Sequence, residues 1–149
     1  MKVEFTVEDR PPRKYSGKSM YNKPGEVKYV VLLRKKAFEA REKLDLREPF
    51  HSHTALELTV FAPRDQLESM GDLDSFITGV CDGLQKAHPL ALRHLDHELY
   101  KEHGRERIDP ENELLLDDDA KIVSITARKV SLDEDQDQKI HYKVTIEPV

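Results

Sequence analysis

The apolar residues change period along the chain, and this limits the fold more than any other feature. Val3, Phe5 and Val7 alternate with Glu4, Thr6 and Glu8, a period of two that predicts a half-buried strand. From about Glu26 to Leu44 the step lengthens. Val27, Val30, Val31, Phe38 and Leu44 recur three and four residues apart, with Lys28, Lys35, Lys36 and Lys43 largely elsewhere, as in an amphipathic helix. Alternation returns at Ala55–Phe61, where Leu56, Leu58 and Val60 share one face. A second helix is expected over Ser75–Ala87, with Phe76, Ile77, Val80, Cys81 and Leu84 as its apolar stripe. Two more strands are expected, at Lys121–Val130 and Lys139–Glu147. The order is strand, helix, strand, helix, strand, strand, without repeats. It predicts an α+β fold, a mixed β-sheet with amphipathic helices packed on it.

Punctuation supports this division. Pro11, Pro12, Gly17, Pro24 and Gly25 leave no regular element expected over 9–25. Pro49 ends the first helical region, Pro63 and Gly71 bracket a polar loop, and His88-Pro89 closes the second helix. Residues 90–113 are polar, with a short helix expected around Leu90–Glu102, and the acidic Ser131–Gln138 reads as a hairpin loop.

A chain of 149 residues suits one domain, 1–149. Leu, Ile, Val and Phe number 39, enough for a core and more than a disordered chain carries. The 36% charged fraction and lack of Trp imply a small core under a charged surface. No apolar run approaches the roughly 20 residues of a membrane helix, and the opening residues lack a signal peptide's apolar block. A single cysteine, Cys81, excludes an internal disulfide and suits a reducing, cytoplasmic setting. Within its stripe Cys81 reads as core.

The net charge of -5 is unevenly spread. Residues 1–44 carry 12 Lys and Arg against 6 Asp and Glu, whereas 45–149 carry 12 against 23. Basic residues that hold phosphates beside carboxylates that hold metal would suit a nuclease; an unevenly charged soluble protein has the same totals. Asp72 and Asp74, one residue apart before the second helix, can point the same way in an extended segment. Asp117, Asp118 and Asp119 precede the third strand. Magnesium commonly takes one or two carboxylates plus water and phosphate, so carboxylates from these segments could form its site. They also read as a helix cap and a solvated turn.

The order of features adds to this. A Pro-Pro loop with basic residues, a basic helix and a strand ending Ala62-Pro63 come first. Asp72-Leu73-Asp74-Ser75, a helix containing Asp82-Gly83-Leu84, Asp118-Asp119-Ala120-Lys121-Ile122 and a strand with Lys129 follow. Over nearly its whole length the chain resembles the RusA family of Holliday-junction resolvases. The resemblance implies a homodimeric endonuclease that binds four-way DNA junctions and cuts them with magnesium. By position, Asp72, Asp74 and Asp119 would be the catalytic, metal-holding carboxylates, with Asp118 supporting. The departures are Thr78 where the family has a lysine, Ser75 where it has asparagine, a segment before the motif, Arg64–Gly71, that is poor in basic residues, and residues 88–113, which look like an insertion relative to the family. A non-catalytic junction-binding relative and a small protein-interaction domain are the alternatives.

Arg10, Arg13, Lys14, Lys18 and Lys23 are the candidate DNA-binding residues, in a loop expected to be mobile. Lys28, Arg34, Lys35 and Lys36 extend that basic surface onto the helix. His94, His97, Glu98 and His103 read as solvated surface, as do His51 and His53. Asp133, Asp135 and Asp137 imitate a calcium loop, but Gln138 stands where glycine is needed and Val144 where glutamate is needed.

Overall fold

In the computed structural model, residues 1–14, 19–96, 98, 100, 110–133 and 139–149 are described. The elements are β1 (Val3–Glu8), α1 (Pro24–Lys43), β2 (Thr54–Pro63), α2 (Leu73–Gly83), α3 (Pro89–Arg93), β3 (Ile122–Leu132) and β4 (His141–Pro148). They form a four-stranded mixed sheet in the order β1-β4-β2-β3. β4 lies antiparallel to both β1 and β2, and β2 runs parallel to β3. The α+β architecture expected from the apolar periods is the one observed.

One expectation about topology is overturned. Residues 131–138 do not form a hairpin, because β3 and β4 pair with opposite sides of β2. Their connection therefore crosses over β2; residues 134–138, which include Asp135, Asp137 and Gln138, lie outside the described residues. Alternation identifies a strand without naming its neighbour.

Alternation does identify the face. Val3, Phe5 and Val7, Leu56, Leu58 and Val60, and Tyr142, Val144 and Ile146 are buried against Leu33 and Ala37 of α1 and Phe76, Val80 and Leu84 of α2. The opposite face carries paired charges, Lys143 with Glu4 and Arg128 with Glu57.

α1 starts two residues earlier than expected because Pro24 takes its first position, where the missing N–H costs nothing. The segment before it also contains a 3-10 turn, Met20–Asn22, in a region expected to have no regular element. At the other end Asp45 adopts a left-handed φ of 53°. Asp45 N–H donates to the Glu42 carbonyl and Leu46 N–H to the Arg41 carbonyl, both at 3.0 Å, the Schellman arrangement. A second apolar cluster joins Met20, Tyr21, Val27, Val30 and Val31 to Ala87, Ala91 and Tyr100. It docks the start of the expected insertion against α1. Of the helix expected around Leu90–Glu102, Pro89–Arg93 forms one short helix and Glu98 and Tyr100 are also helical, while residues 97, 99 and 101–109 lie outside the described residues.

Two buried charges hold this layer together. Arg34, expected on the basic surface, is 0% exposed. Its guanidinium donates to the carbonyls of Gly83 at 2.8 Å and Gln85 at 2.9 Å, and to that of Asn112. Glu26, also buried, accepts two bonds from Arg10, at 3.0 and 2.7 Å, and one from Arg13 N–H at 2.7 Å. Burial pushes the Glu26 carboxyl upward, but the Arg10 and Arg13 bonds and charges outweigh it and hold the group below its ordinary value.

Candidate functional site

The path of α2 decides which carboxylates meet. Lys129 Nζ, near the end of β3, donates to the Leu67 carbonyl at 2.5 Å, on the approach to α2. At the other end of the helix, Leu115 and Leu116 N–H both donate to the Leu84 carbonyl at 3.1 Å. Phe50 N–H, just before β2, donates to the Leu115 carbonyl at 2.9 Å. α2 therefore returns antiparallel to β2 and β3. Its first residues lie where those strands finish, and its last residues lie where they begin.

Asp72 is the N-cap of α2 and Asp74 stands in its first turn, both exposed. The Asp72 carbonyl accepts Phe76 N–H at 3.1 Å, and its carboxylate makes no capping bond. Asp119 opens the 3-10 turn that leads into β3, at the opposite end of α2. Its carboxylate acts electrostatically on Asp82 and Cys81. Asp74 and Asp82 lie two turns apart on one helix, about 12 Å of rise. The structure thus places Asp119 at the end of α2 opposite Asp72 and Asp74, and Asp119 lines a cleft with Asp82. Among the described residues, no group of three or more His, Cys, Asp and Glu is placed to hold one metal ion.

Burial raises the Asp82 carboxyl, with Asp119 adding to the rise and Lys14 opposing it. Burial also pushes the Cys81 thiol up to about 12, reinforced by Asp119 and Asp82, so Cys81 is a core thiol as expected. The backbone under Asp82 is fixed by Tyr21, whose hydroxyl donates to the Asp82 carbonyl at 2.7 Å. Arg34 secures the next turn through Gly83 and Gln85.

Lys14 reaches this place because its segment lies along α2. Its N–H donates to the Ser75 carbonyl at 3.4 Å. At Gly79 an added Cβ would stand 2.0 Å from the Pro12 carbonyl oxygen, so only glycine admits that approach. Lys14, Asp82 and Asp119 line one cleft.

The other basic candidates differ. Arg10 is committed to Glu26 and stacks over Tyr29, 3.7 Å from its ring centroid. Arg13 is held at Glu26 and at the Met70 carbonyl. These two are structural ties rather than arms of a mobile loop, because the acid they neutralise is buried. The Lys23 carbonyl accepts Val27 N–H at the start of α1. Lys18 lies outside the described residues, as do His97 and His103.

Asp118, expected as a supporting ligand, uses one carboxylate oxygen to accept Ala120 N–H at 2.9 Å. Asp117 accepts from Lys121 at 2.7 Å and meets His51 at 2.8 Å. Lys121 first and His51 second hold its carboxyl down at about 2, and the Asp117 bond raises His51. Thr78, one turn from both Asp74 and Asp82, donates its hydroxyl to the Asp74 carbonyl at 3.0 Å.

Sequence reasoning left Asp82 outside the site. The available signal was its spacing, since Asp74, Thr78 and Asp82 fall at steps of four and share a helix face. Asp82 and Asp119 both line this cleft, and carboxylate oxygens are hard donors of the kind magnesium takes. No protein-family model matches the chain, and no curated protein matches it in sequence.

Proposed function

We propose that the chain is a magnesium-dependent endonuclease of branched DNA, as its resemblance to the RusA family implies, with Asp82 and Asp119 as the principal metal-holding carboxylates. The observation that carries the reading is that Asp82, at the end of α2, and Asp119, just before β3, line one cleft together with Lys14. Asp74 and Asp72 stand farther up α2, where their charge excludes phosphate unless a cation bridges them. When bound, magnesium supplies Lewis-acid compensation for charge on the phosphate oxygens. The protein's share is positioning. Tyr21 and Arg34 fix the backbone at Asp82, the 3-10 turn fixes Asp119, and Lys14 offsets their repulsion. A four-way junction presents two related strands, so the acting species is a two-fold pair of chains.

Junction cleavage with and without magnesium tests this. Asp119→Asn and Asp82→Asn should each lower the magnesium-dependent rate by about a hundredfold or more, with folding unchanged because Asp119 is exposed and Asp82 half-buried. Equal cleavage by both variants would remove the reading. Thr78 favours a second reading, a relative that binds junctions without cutting them. Its hydroxyl is engaged with Asp74 and brings no positive charge to the site. Tight binding without cleavage by the wild type would select that reading.

A further inference from the structure

We propose that the cleft beside Asp82 and Asp119 binds one unpaired nucleotide at the branch point of a DNA junction, its phosphate at Lys14 and Lys86 and its base against Leu90 and His88. The inference rests on the endonuclease reading and deepens it by naming the feature of the substrate that is recognised. The cleft has a volume of about 530 Å³, within the range of sites that enclose small organic ligands.

Its lining has two chemical characters. Lys14, Asp82 and Asp119 stand together, and Lys86 follows Asp82 by four residues. The same cleft is lined by Leu90, which is 57% exposed, beside the buried Ala91. A single exposed leucine is ordinary on a protein surface. An exposed leucine sharing a cleft with two ammonium groups and a carboxylate pair has the outline of a nucleotide, anionic at one end and flat and apolar-faced at the other. A paired, stacked base hides its face in the duplex, so the nucleotide that fits is an unstacked one.

His88 adds a polar contact of fixed character. It caps α3, its Nδ1 accepting Leu90 N–H at 3.1 Å. That nitrogen is therefore unprotonated, and in the neutral ring Nε2 carries the donor. A donor and an apolar side chain side by side suit the edge and the face of one base. Duplex arms meet the charged part of the cleft alone, through their phosphates, which carry no base identity.

The test uses a four-way junction with one unpaired 2-aminopurine nucleotide at the branch point and the same junction fully paired, measured with calcium in place of magnesium, because Asp82 and Asp119 repel phosphate until a hard cation neutralises them. Wild-type protein should bind the unpaired form about tenfold more tightly, the scale of one base contact, and should change the 2-aminopurine emission. Leu90→Asp, at an exposed position, should abolish that preference. Leu44→Asp, an exposed leucine at the far end of α1, should keep it. Lys86→Ala should weaken binding of both forms. Equal wild-type affinity for the two junctions, or an intact preference in Leu90→Asp, overturns the inference. If that result accompanies Asp119-dependent cleavage, the nucleotide site alone fails. No binding and no cleavage by the wild type removes the endonuclease reading with it.

Discussion

Replacing Arg34 with Met tests how the end of α2 is held. The guanidinium is fully buried and donates to three backbone carbonyls, those of Gly83, Gln85 and Asn112. Met fills similar volume but donates nothing. A carbonyl left unpaired in the interior costs about 1–3 kcal/mol, so the three cost at most about 9 kcal/mol. The cost is less because two of the bonds are only partly buried and the Tyr21 hydroxyl still reaches the Gln85 carbonyl at 3.4 Å. Removing a buried cation returns several kcal/mol of desolvation, because guanidinium is expensive to take out of water. The net expectation is a loss of about 2–4 kcal/mol. With a slope of about 2 kcal/mol per molar urea, the unfolding midpoint falls by about 1–2 M at unchanged slope. Arg34→Lys keeps the charge but loses the fork, so it recovers only part of the loss. A midpoint for Arg34→Met within 0.25 M urea of the wild type, a shift of about 0.5 kcal/mol, would refute this account of the clamp.

Three further outcomes follow from the same structure. Gly79→Ala should destabilise the fold and separate the Pro11–Lys14 segment from α2, since its methyl would meet the Pro12 carbonyl oxygen; proteolysis at that segment should become faster, as equilibrium unfolding by urea shifts to lower concentration. Tyr142→Phe should leave stability unchanged or raise it by up to about 1 kcal/mol in thermal unfolding, because the buried Tyr142 hydroxyl has no hydrogen-bond partner among the described residues. Glu26 has a folded-state pKa below its ordinary value, so its contribution is present above the unfolded value and is lost as pH falls through the folded one. Glu26→Gln should accordingly flatten the decline of stability in urea titrations taken below about pH 4.5.

Periodicity carried the fold a long way because each apolar period reports directly on burial. Val3, Phe5 and Val7 alternate with Glu4, Thr6 and Glu8 in sequence, and in the sheet the first three are buried and the others exposed. Arg34 was illegible for the same reason. It follows Val27, Val30 and Val31 on the inward stripe, but residue type places a charge outside unless its partners are known. Those partners are backbone carbonyls far away in sequence, and no pattern in α1 announces them. Arg10 and Arg13 misled in the same way, since the acid they neutralise, Glu26, is itself a charged residue turned inward.

The site shows a different boundary. Asp119 was legible as an acid placed before a strand, and Asp74 as an acid opening a helix. Whether they meet depends on the direction of α2 relative to β2 and β3, which follows from the parallel pairing of those strands. That pairing lies in the crossover, not in either motif. It sets Asp119 at the Asp82 end of α2 and not at the Asp74 end.

Paramagnetic broadening by manganese, a substitute for magnesium at oxygen sites, tests the central claim most directly. Amide signals of the isotopically labelled protein are recorded as manganese is added at low concentration. The account predicts that the signals of Asp82, Gly83, Asp119 and Ala120 broaden first, and that Asp119→Asn abolishes the effect there. Broadening that begins at Asp72 and Asp74 while Asp119 stays sharp, or that is spread over the acidic surface without preference, would contradict the pairing of Asp82 with Asp119 as a metal site.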